Sequence, residues 1–383
     1  MPEDKDVSEI RALAREFANR EIAPVAAAID RQGEFPAATA ARMGELGLFG
    51  LALPWEYGGA GKGLTHLAAA IEEVSRACAS HGITLSTHAT LCAGAIERFG
   101  NAEQKQRFLP ALAAGRFLGA FCLTEKEAGT DAGNIQSIAT PCDEGYLLNG
   151  RKIFITNGAV AQVFIVFAKT DPGAGRKGIS AFIVERGTPG FSVGKKFEKM
   201  GIRASCTNEL VFDNCLVPAS NLLGGSGEGF RIAMRALDDG RIGVAAQALG
   251  IAGAALDLAV THVAGRIQFG KPLSSNQGIQ WMLADMAVKV KASSMLTAEA
   301  ARLRDQGLPY SSAAAMAKLH ASETAMEICT RAVQLHGGIG YTSESTVERL
   351  MRDAKITEIY EGTSEVQRMI IAADLLEKHG KCN

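Results

Sequence analysis

The chain has 383 residues, 47% of them hydrophobic, and a net charge of -1 with acidic and basic residues mixed along its length. That much apolar content excludes wholesale disorder, and the length leaves room for two or three domains. No basic stripe is available to neutralise a phosphate backbone, so nucleic acid is not an expected partner. No charge-free apolar run reaches the ~18 residues of a membrane span, so no membrane insertion is expected.

Met1-Pro2-Glu3-Asp4-Lys5-Asp6 is acidic and leads directly into a helical pattern, with neither an apolar signal core nor an Arg-rich transit peptide. A cytoplasmic protein is expected, or one of the mitochondrial matrix if the chain is a processed form. Residues 1–118 read as an α-helical domain. Ile10, Leu13, Ala14 and Phe17 form one apolar stripe, and Leu67, Ile71 and Val74 another. Pro54 to Gly63 is a glycine-rich connector whose Lys62-Gly63 order does not suit a phosphate loop.

Residues 119–225 read as a small β domain. Tyr146-Leu147-Leu148 and Lys152 to Thr156 flank Asn149-Gly150, which predicts a two-residue hairpin turn there. Val163–Phe167, Ser180–Val184 and Leu210–Phe212 continue the series. Cys122, Cys206 and Cys215 lie in these stretches and read as buried, reduced thiols. No His, Cys or carboxylate set has metal-ligand spacing, so no metal is expected.

Residues 226–383 read as a helical bundle. Phe230, Met234, Leu237, Val244, Ala248, Ile251, Ala255 and Leu258 form one long stripe. Arg241 falls inside that stripe, so its charge needs solvent, a partner or a ligand phosphate. Asp238, three residues earlier, offers an intrahelical ion pair as one answer. Further helices are expected near 276–306, 310–335, 344–354 and 364–378.

Glu361 precedes the last of these helices, in the run Ile359-Tyr360-Glu361-Gly362-Thr363-Ser364. Ser364 and Gln367 fit a capping box, and Gly362 permits a tight turn or close ligand approach. A carboxylate on such a turn is either a solvated surface group or a general-base candidate.

Six segments, in order along nearly the whole chain, resemble the acyl-CoA dehydrogenases, flavoenzymes that form α,β-unsaturated acyl-CoA. They are Phe121–Glu125 with Ala128–Asp131, Lys152–Gly158, Lys199–Arg203, Arg266–Pro272, Gln334–Gly338 and Ile359–Arg368. The resemblance implies a mostly α fold with a central β domain: an N-terminal helical domain, a β barrel-like domain and a C-terminal four-helix bundle. It implies FAD as cofactor, acyl-CoA as substrate, electron-transfer flavoprotein as acceptor and a homotetramer.

By the same resemblance Glu361 removes the α-proton while the β-hydride passes to flavin N5, giving the trans-2-enoyl-CoA. The Glu361 N–H would help hold the thioester oxygen. Tyr360, Gly362, Thr130, Asp238, Gly240 and Arg241 would contact substrate. Gly240 stands where some relatives carry their base. Phe121, Leu123, Thr124, Gly129, Thr130, Phe154, Ile155 and Thr156 would border the flavin, with Thr363 and Glu365 as further FAD contacts. Arg266, Gln268, Phe269 and Gln277, with Gln334, Leu335, His336, Gly337 and Gly338, would bind the FAD of a neighbouring subunit. From the residues alone, the β segments could equally be ordinary strands, and the paired glycines a helix C-cap.

Lys126-Glu127 departs from the family's common Pro-x after Thr124-Glu125, and Phe154 stands where many relatives have Trp. Phe154 and Thr130, with Ser86 to Leu91, most resemble the short-chain, butyryl-CoA branch. An oxygen-using flavin oxidase of the same fold, or a non-catalytic flavin-bearing scaffold, is the alternative reading.

Overall fold

A computed structural model describes residues 5–380. The N-terminal part is helical: α1 (Lys5–Phe17), α2 (Ala23–Gln32), α3 (Ala37–Glu45), α4 (Leu64–Ala77), α5 (Ala79–Ser86), α6 (Gly94–Phe99) and α7 (Ala102–Ala113). A wider π-helical stretch, Thr87–Ala93, joins α5 to α6 and is wholly buried. Asn101 caps α7 by accepting from Gln104 N at 2.8 Å, and Gln104 returns the bond to Asn101 N at 3.1 Å. The Gln104 amide also donates to the Ser220 and Leu222 carbonyls, both at 2.8 Å, tying α7 to the sheet.

The strands are β1 (Gly119–Cys122), β2 (Ile138–Cys142), β3 (Gly145–Thr156), β4 (Val163–Lys169), β5 (Ile179–Glu185), β6 (Phe191–Lys196), β7 (Thr207–Pro218) and β8 (Leu222–Leu223). They form one sheet in the order β6-β7-β3-β2-β4-β5-β8, with β1 also pairing β4. β2 and β4 meet only at Ile138 and Lys169, so the sheet hinges there. Its two halves close on an aromatic core, Tyr146 on Phe182 at 5.0 Å and Phe164 on Phe191 at 4.8 Å between centroids.

The expected turn at Asn149-Gly150 is absent. β3 runs straight through both residues, and the hairpin turns instead at Asp143-Glu144, after the pair Cys142–Gly145. Asn149-Gly150 marks a bulge against β7. Asn149 Oδ1 accepts from Asn214 N at 2.8 Å, and a Cβ on Gly150 would lie 2.3 Å from Ser137 Oγ. Glycine is there for close approach of the segment entering β2, not for a turn.

The C-terminal part holds α8 (Gly229–Gly265), the small hairpin β9 (Ile267–Gln268) and β10 (Lys271–Pro272), then α9 (Gln277–Asp305), α10 (Ser311–His336), α11 (Thr346–Thr357) and α12 (Ser364–Lys378). α8 is apolar and long enough to cross a membrane by composition, but 78% of its most apolar window is buried inside the protein. It packs against α4, α9, α10 and α11. Glycines let α4 come close: a Cβ on Gly250 would sit 2.3 Å from the Glu72 carbonyl. From the end of α9, Asp305 accepts from Leu64 N and Thr65 N at 2.6 and 2.9 Å, satisfying the start of α4. α8 thus packs against helices that precede the sheet in the chain and helices that follow it.

Candidate active site

Between α11 and α12 the chain makes a left-handed turn, Glu361 at φ 54° and Gly362 at φ 96°. A non-glycine residue there costs roughly 1–3 kcal/mol and needs its surroundings to hold it. The Gly362 carbonyl is the anchor. It accepts from Lys318 Nζ and from Gln367 Nε2, each at 2.7 Å.

The expected capping box is not formed. Thr363 is the N-cap, its hydroxyl accepting from Val366 N at 3.4 Å, and Ser364 is already helical. Gln367 therefore falls one position too far along, and its buried amide reaches past the cap to Gly362. Thr363 and Glu365 stand at this same helix start, half-buried and exposed respectively.

The Glu361 side chain is half-buried, and its Oε2 is enclosed with no hydrogen-bond partner among the described residues. It lies over Gly240 of α8: a Cβ there would be 2.1 Å from Oε2 and 2.7 Å from Leu91 Cδ2. The missing side chain is what gives the carboxyl its place. Burial pushes the Glu361 carboxyl up to about 7, against the pull of Lys318 and Arg241. Its backbone N–H donates to none of the described residues. Beside it, the Tyr360 hydroxyl donates to Gln247 Oε1, and Gln247 Nε2 donates to the Ala79 carbonyl at 2.9 Å.

Immediately after Gly240 on α8, Arg241 Nη1 meets Asp238 Oδ1 at 2.5 Å, both side chains buried. Ser311 Oγ donates to the same oxygen at 2.8 Å. The intrahelical pair therefore exists, yet Arg241 Nε is buried with no partner among the described residues. Burial raises the Asp238 carboxyl, chiefly by desolvation and despite Arg241. Next to this pair lies a cavity of about 470 Å³ whose polar wall is Arg98, Arg235, Arg304, Tyr310 and Ser311, with Glu97 as its one carboxylate.

The two β segments lie side by side, since Ile153 N donates to the Thr124 carbonyl at 2.9 Å. Phe121 and Leu123 are buried, Gly129 and Thr130 exposed, and Ile155 buried behind Phe154. Phe154 sits on a bulge of β3 at φ 56°, 58% exposed as a residue, with its ring 4.7 Å from that of Phe197. The half-buried Thr124 and Thr156 hydroxyls find no partner among the described residues. A strained, outward aromatic face flanked by free hydroxyls fits a planar heteroaromatic ring better than it fits an ordinary strand end.

Beneath this edge, Lys152 is fully buried and donates to Glu125 Oε1 at 2.6 Å and to the Leu123 carbonyl at 3.2 Å. Glu125 also accepts from Gln136 N and Ser137 N at 2.5 and 3.0 Å. Glu125 and Ala128 bond to each other through both backbone groups, closing the turn without a proline at position 126. The pair sets where Thr124 ends.

The remaining expected FAD contacts lie elsewhere. Phe269-Gly270 is a two-residue left-handed turn (φ 53° and 78°) at the tip of the β9–β10 hairpin, with Phe269 wholly exposed. Arg266 and Gln268 flank it, and Gln277 opens α9, all exposed. His336, at the end of α10, stacks on His262 of α8 at 4.2 Å, which brings Gln334 to Gly338 to the same end of the bundle. Leu335 is buried and Gly337 caps α10 at φ 65°. Along α8 the 26 residues from Gly240 to Arg266 span about 39 Å. Within one chain, this set does not join Glu361.

Two charged groups were missed by the sequence reading as site residues in their own right. Lys318 occupies the buried, alanine-rich face of α10, among Ala314, Ala317, Ala321 and Ala325. A cation in an apolar stripe was the signal that singled out Arg241, and it applies equally here. Lys152 was legible only as part of a motif.

A helical part, a central sheet and a helical bundle surround a desolvated carboxyl set against Leu91 of the first and Gly240 of the last, the arrangement of an enzyme with a buried acid–base group. The chain belongs to the acyl-CoA dehydrogenase family: the family's N-terminal domain matches residues 4–116, its middle domain 120–215 and its C-terminal domain 227–376. The protein is an oxidoreductase with FAD as its cofactor. It is 51% identical over 366 residues to the short-chain specific acyl-CoA dehydrogenase of Clostridium acetobutylicum, covering 96% of this chain and 97% of that one. The solved butyryl-CoA dehydrogenase of Megasphaera elsdenii superposes with a TM-score of 0.97 at 48% identity, over 98% of this chain and 99% of that one. A chain from a study of the electron transferring flavoprotein of Acidaminococcus fermentans gives 0.97 at 49% identity, again over 98% and 99%.

Proposed function

We propose that the protein oxidises a short-chain acyl-CoA to the trans-2-enoyl-CoA, with Glu361 as the base, and passes the electrons to an electron-transfer flavoprotein. The observation that carries this reading is the Glu361 carboxyl, held on a strained turn with Oε2 desolvated, partnerless and close to neutrality in pKa. A carboxylate at its ordinary pKa is a weak base toward a carbon acid; burial makes it a stronger one.

In this reading Glu361 takes the α-proton onto its free carboxylate oxygen. Its unpaired backbone N–H is available to the thioester oxygen as negative charge develops there. Arg241, through the free Nε, and Asp238 meet the amide-bearing arm of CoA. The arginine-walled cavity beside them suits its phosphates. Phe154, Thr124, Thr130 and Thr156 would hold the ring edge of FAD, which when bound supplies the acceptor for the β-hydride. The short-chain assignment comes from the likeness to the Clostridium and Megasphaera enzymes. The electron-transfer flavoprotein comes from the likeness to the Acidaminococcus chain.

We further propose that Arg266, Gln268, Phe269, Gln277 and the Gln334–Gly338 segment complete the FAD site of a second copy in a homotetramer. Supporting this are their distance from Glu361 along α8 and an exposed apolar stripe on α9. Trp281, Val288 and Met295 recur there every seven residues, 63%, 69% and 63% exposed. Anaerobic titration of the purified flavoprotein with C4 to C16 acyl-CoAs, followed by flavin absorbance, tests the substrate reading. Bleaching is expected with butyryl-CoA foremost, and none with Glu361→Gln, which still holds FAD. Full bleaching of that variant would remove Glu361 from the reaction.

A further inference from the structure

Lys318 is wholly buried on α10, and forms no ion pair with a carboxylate among the described residues. An uncompensated ammonium in an apolar helix face is expensive, and one carbonyl bond to Gly362 offsets only part of the cost. The neighbouring carboxyl that can offset the rest is Glu361, itself desolvated on Oε2. We propose that Lys318 is a positioning residue for the catalytic base: its ammonium locks the Gly362 carbonyl, and so the left-handed turn, while its charge keeps the Glu361 carboxyl ionised and ready to accept a proton. This inference rests on Glu361 being the base.

The surrounding charges favour this assignment. Facing Glu361 are Lys318 from α10 and Arg241 from α8, with Tyr360 adjacent in the turn. Arg241 is already committed to Asp238 at 2.5 Å, which leaves Lys318 as the uncommitted cation. Facing Lys318 are Glu361, then Arg241, Glu358 of the turn and Glu365 of α12. Glu358 is bonded to Lys355 at 2.7 Å, and Glu365 is exposed. Burial draws the Lys318 amine down to about 8, with Glu361 as the largest opposing influence. Each group thus shifts the other toward its charged form.

The bonding of the turn also separates charge from scaffold. Gln367 Nε2 holds the same Gly362 carbonyl at 2.7 Å, so the turn keeps one buried donor when Lys318 is replaced. Lys318→Met removes the cation and leaves Gln367. Lys318→Arg keeps the charge. Anaerobic stopped-flow reduction of the bound flavin by butyryl-CoA, from pH 5.5 to 9, reads the base directly.

With Met, the acid limb is expected to move up by about one pH unit or more, because an opposite charge at short range lowers a carboxyl by about 1–3 units. Reduction at pH 6 then falls roughly tenfold below wild type, and the two rates converge toward pH 9. The Arg variant keeps the wild-type limb. An unmoved limb in the Met variant, with a rate lowered equally at every pH, overturns the proposal. Should Met fail to hold FAD, Lys318→Gln carries the same test with a donor retained; loss of FAD in both assigns Lys318 a purely structural role and also overturns it. Glu361→Gln is the control that keeps the two readings apart. If it still bleaches, the base assignment has failed; if it is silent while the Met limb stays put, only the role of Lys318 has.

Discussion

Gly240→Ala places one methyl group where the Glu361 carboxyl now lies. The new Cβ would start 2.1 Å from Glu361 Oε2, 3.0 Å from its Cδ and 2.7 Å from Leu91 Cδ2. Comfortable contact needs roughly 3.5 Å, so the carboxyl must retreat by more than about 1 Å or α8 must shift as a body. The helix is buried on several sides, so the side chain moves first. A misplacement of about 1 Å at a reacting group costs about 10²-fold in rate, or about 2.7 kcal/mol. Overpacking costs about 1–3 kcal/mol of stability, partly offset by about 1 kcal/mol from replacing a helical glycine with alanine. A large loss of flavin reduction with a small loss of stability is the expected signature. Gly243→Ala is the matched control: its Cβ would lie 2.1 Å from Ser86 Oγ, an equal clash on the same helix that does not touch Glu361. The assay is anaerobic stopped-flow reduction by butyryl-CoA, alongside FAD content and melting temperature. Gly240→Ala reducing within threefold of wild type, or Gly243→Ala losing as much rate as Gly240→Ala, would refute the claim that this glycine seats the base.

The Glu361 carboxyl titrates near 7 in the free enzyme, so kcat/KM should rise with pH and reach at pH 6 only about a tenth of its plateau. A profile flat from pH 5.5 to 8 would count against it. The same shift has a stability consequence. The folded value of about 7 exceeds the ordinary 4.5, so the stabilisation is complete below pH 4.5 and is lost as pH rises through 7, by up to about 3 kcal/mol. Glu361→Gln lacks this loss; it should melt above wild type at pH 8, with the gap closing by pH 5. Lys152→Met leaves the Glu125 carboxylate buried without its cation, at an expected cost of about 3–5 kcal/mol and with weakened FAD retention. Lys152→Met with Glu125→Gln should recover much of that stability, and a double variant no better than the single one would show that the pair is not what holds the Thr124 strand end.

What the sequence disclosed about this protein follows from range. The helical stripes, and the apolar face interrupted by Arg241, are patterns within one element, and period alone reveals them. The Ser364–Gln367 box and the Asn149-Gly150 turn are local patterns too, yet each was overruled by one group outside the pattern. The Gly362 carbonyl, enclosed from α10, drew Gln367 back past the cap. Ser137 on a neighbouring segment needed the space that Gly150 leaves. The same cause hides the most informative geometry. Glu361 gains its basicity from enclosure beside Leu91 and Gly240, against the pull of Arg241 and Lys318; these reach it from a π-helical stretch, α8 and α10, and no spacing in the chain relates them. Phe154 is the opposite case. Nothing local favours a left-handed phenylalanine with its ring turned outward, so the conformation is held by the bulge against β7, and its purpose lies in what stacks there. Residues that break a local rule at some cost, and are held there by distant partners, mark this site more sharply than any motif does: Glu361 at φ 54°, Phe154 at φ 56°, and Lys318 buried without an ion pair among the described residues.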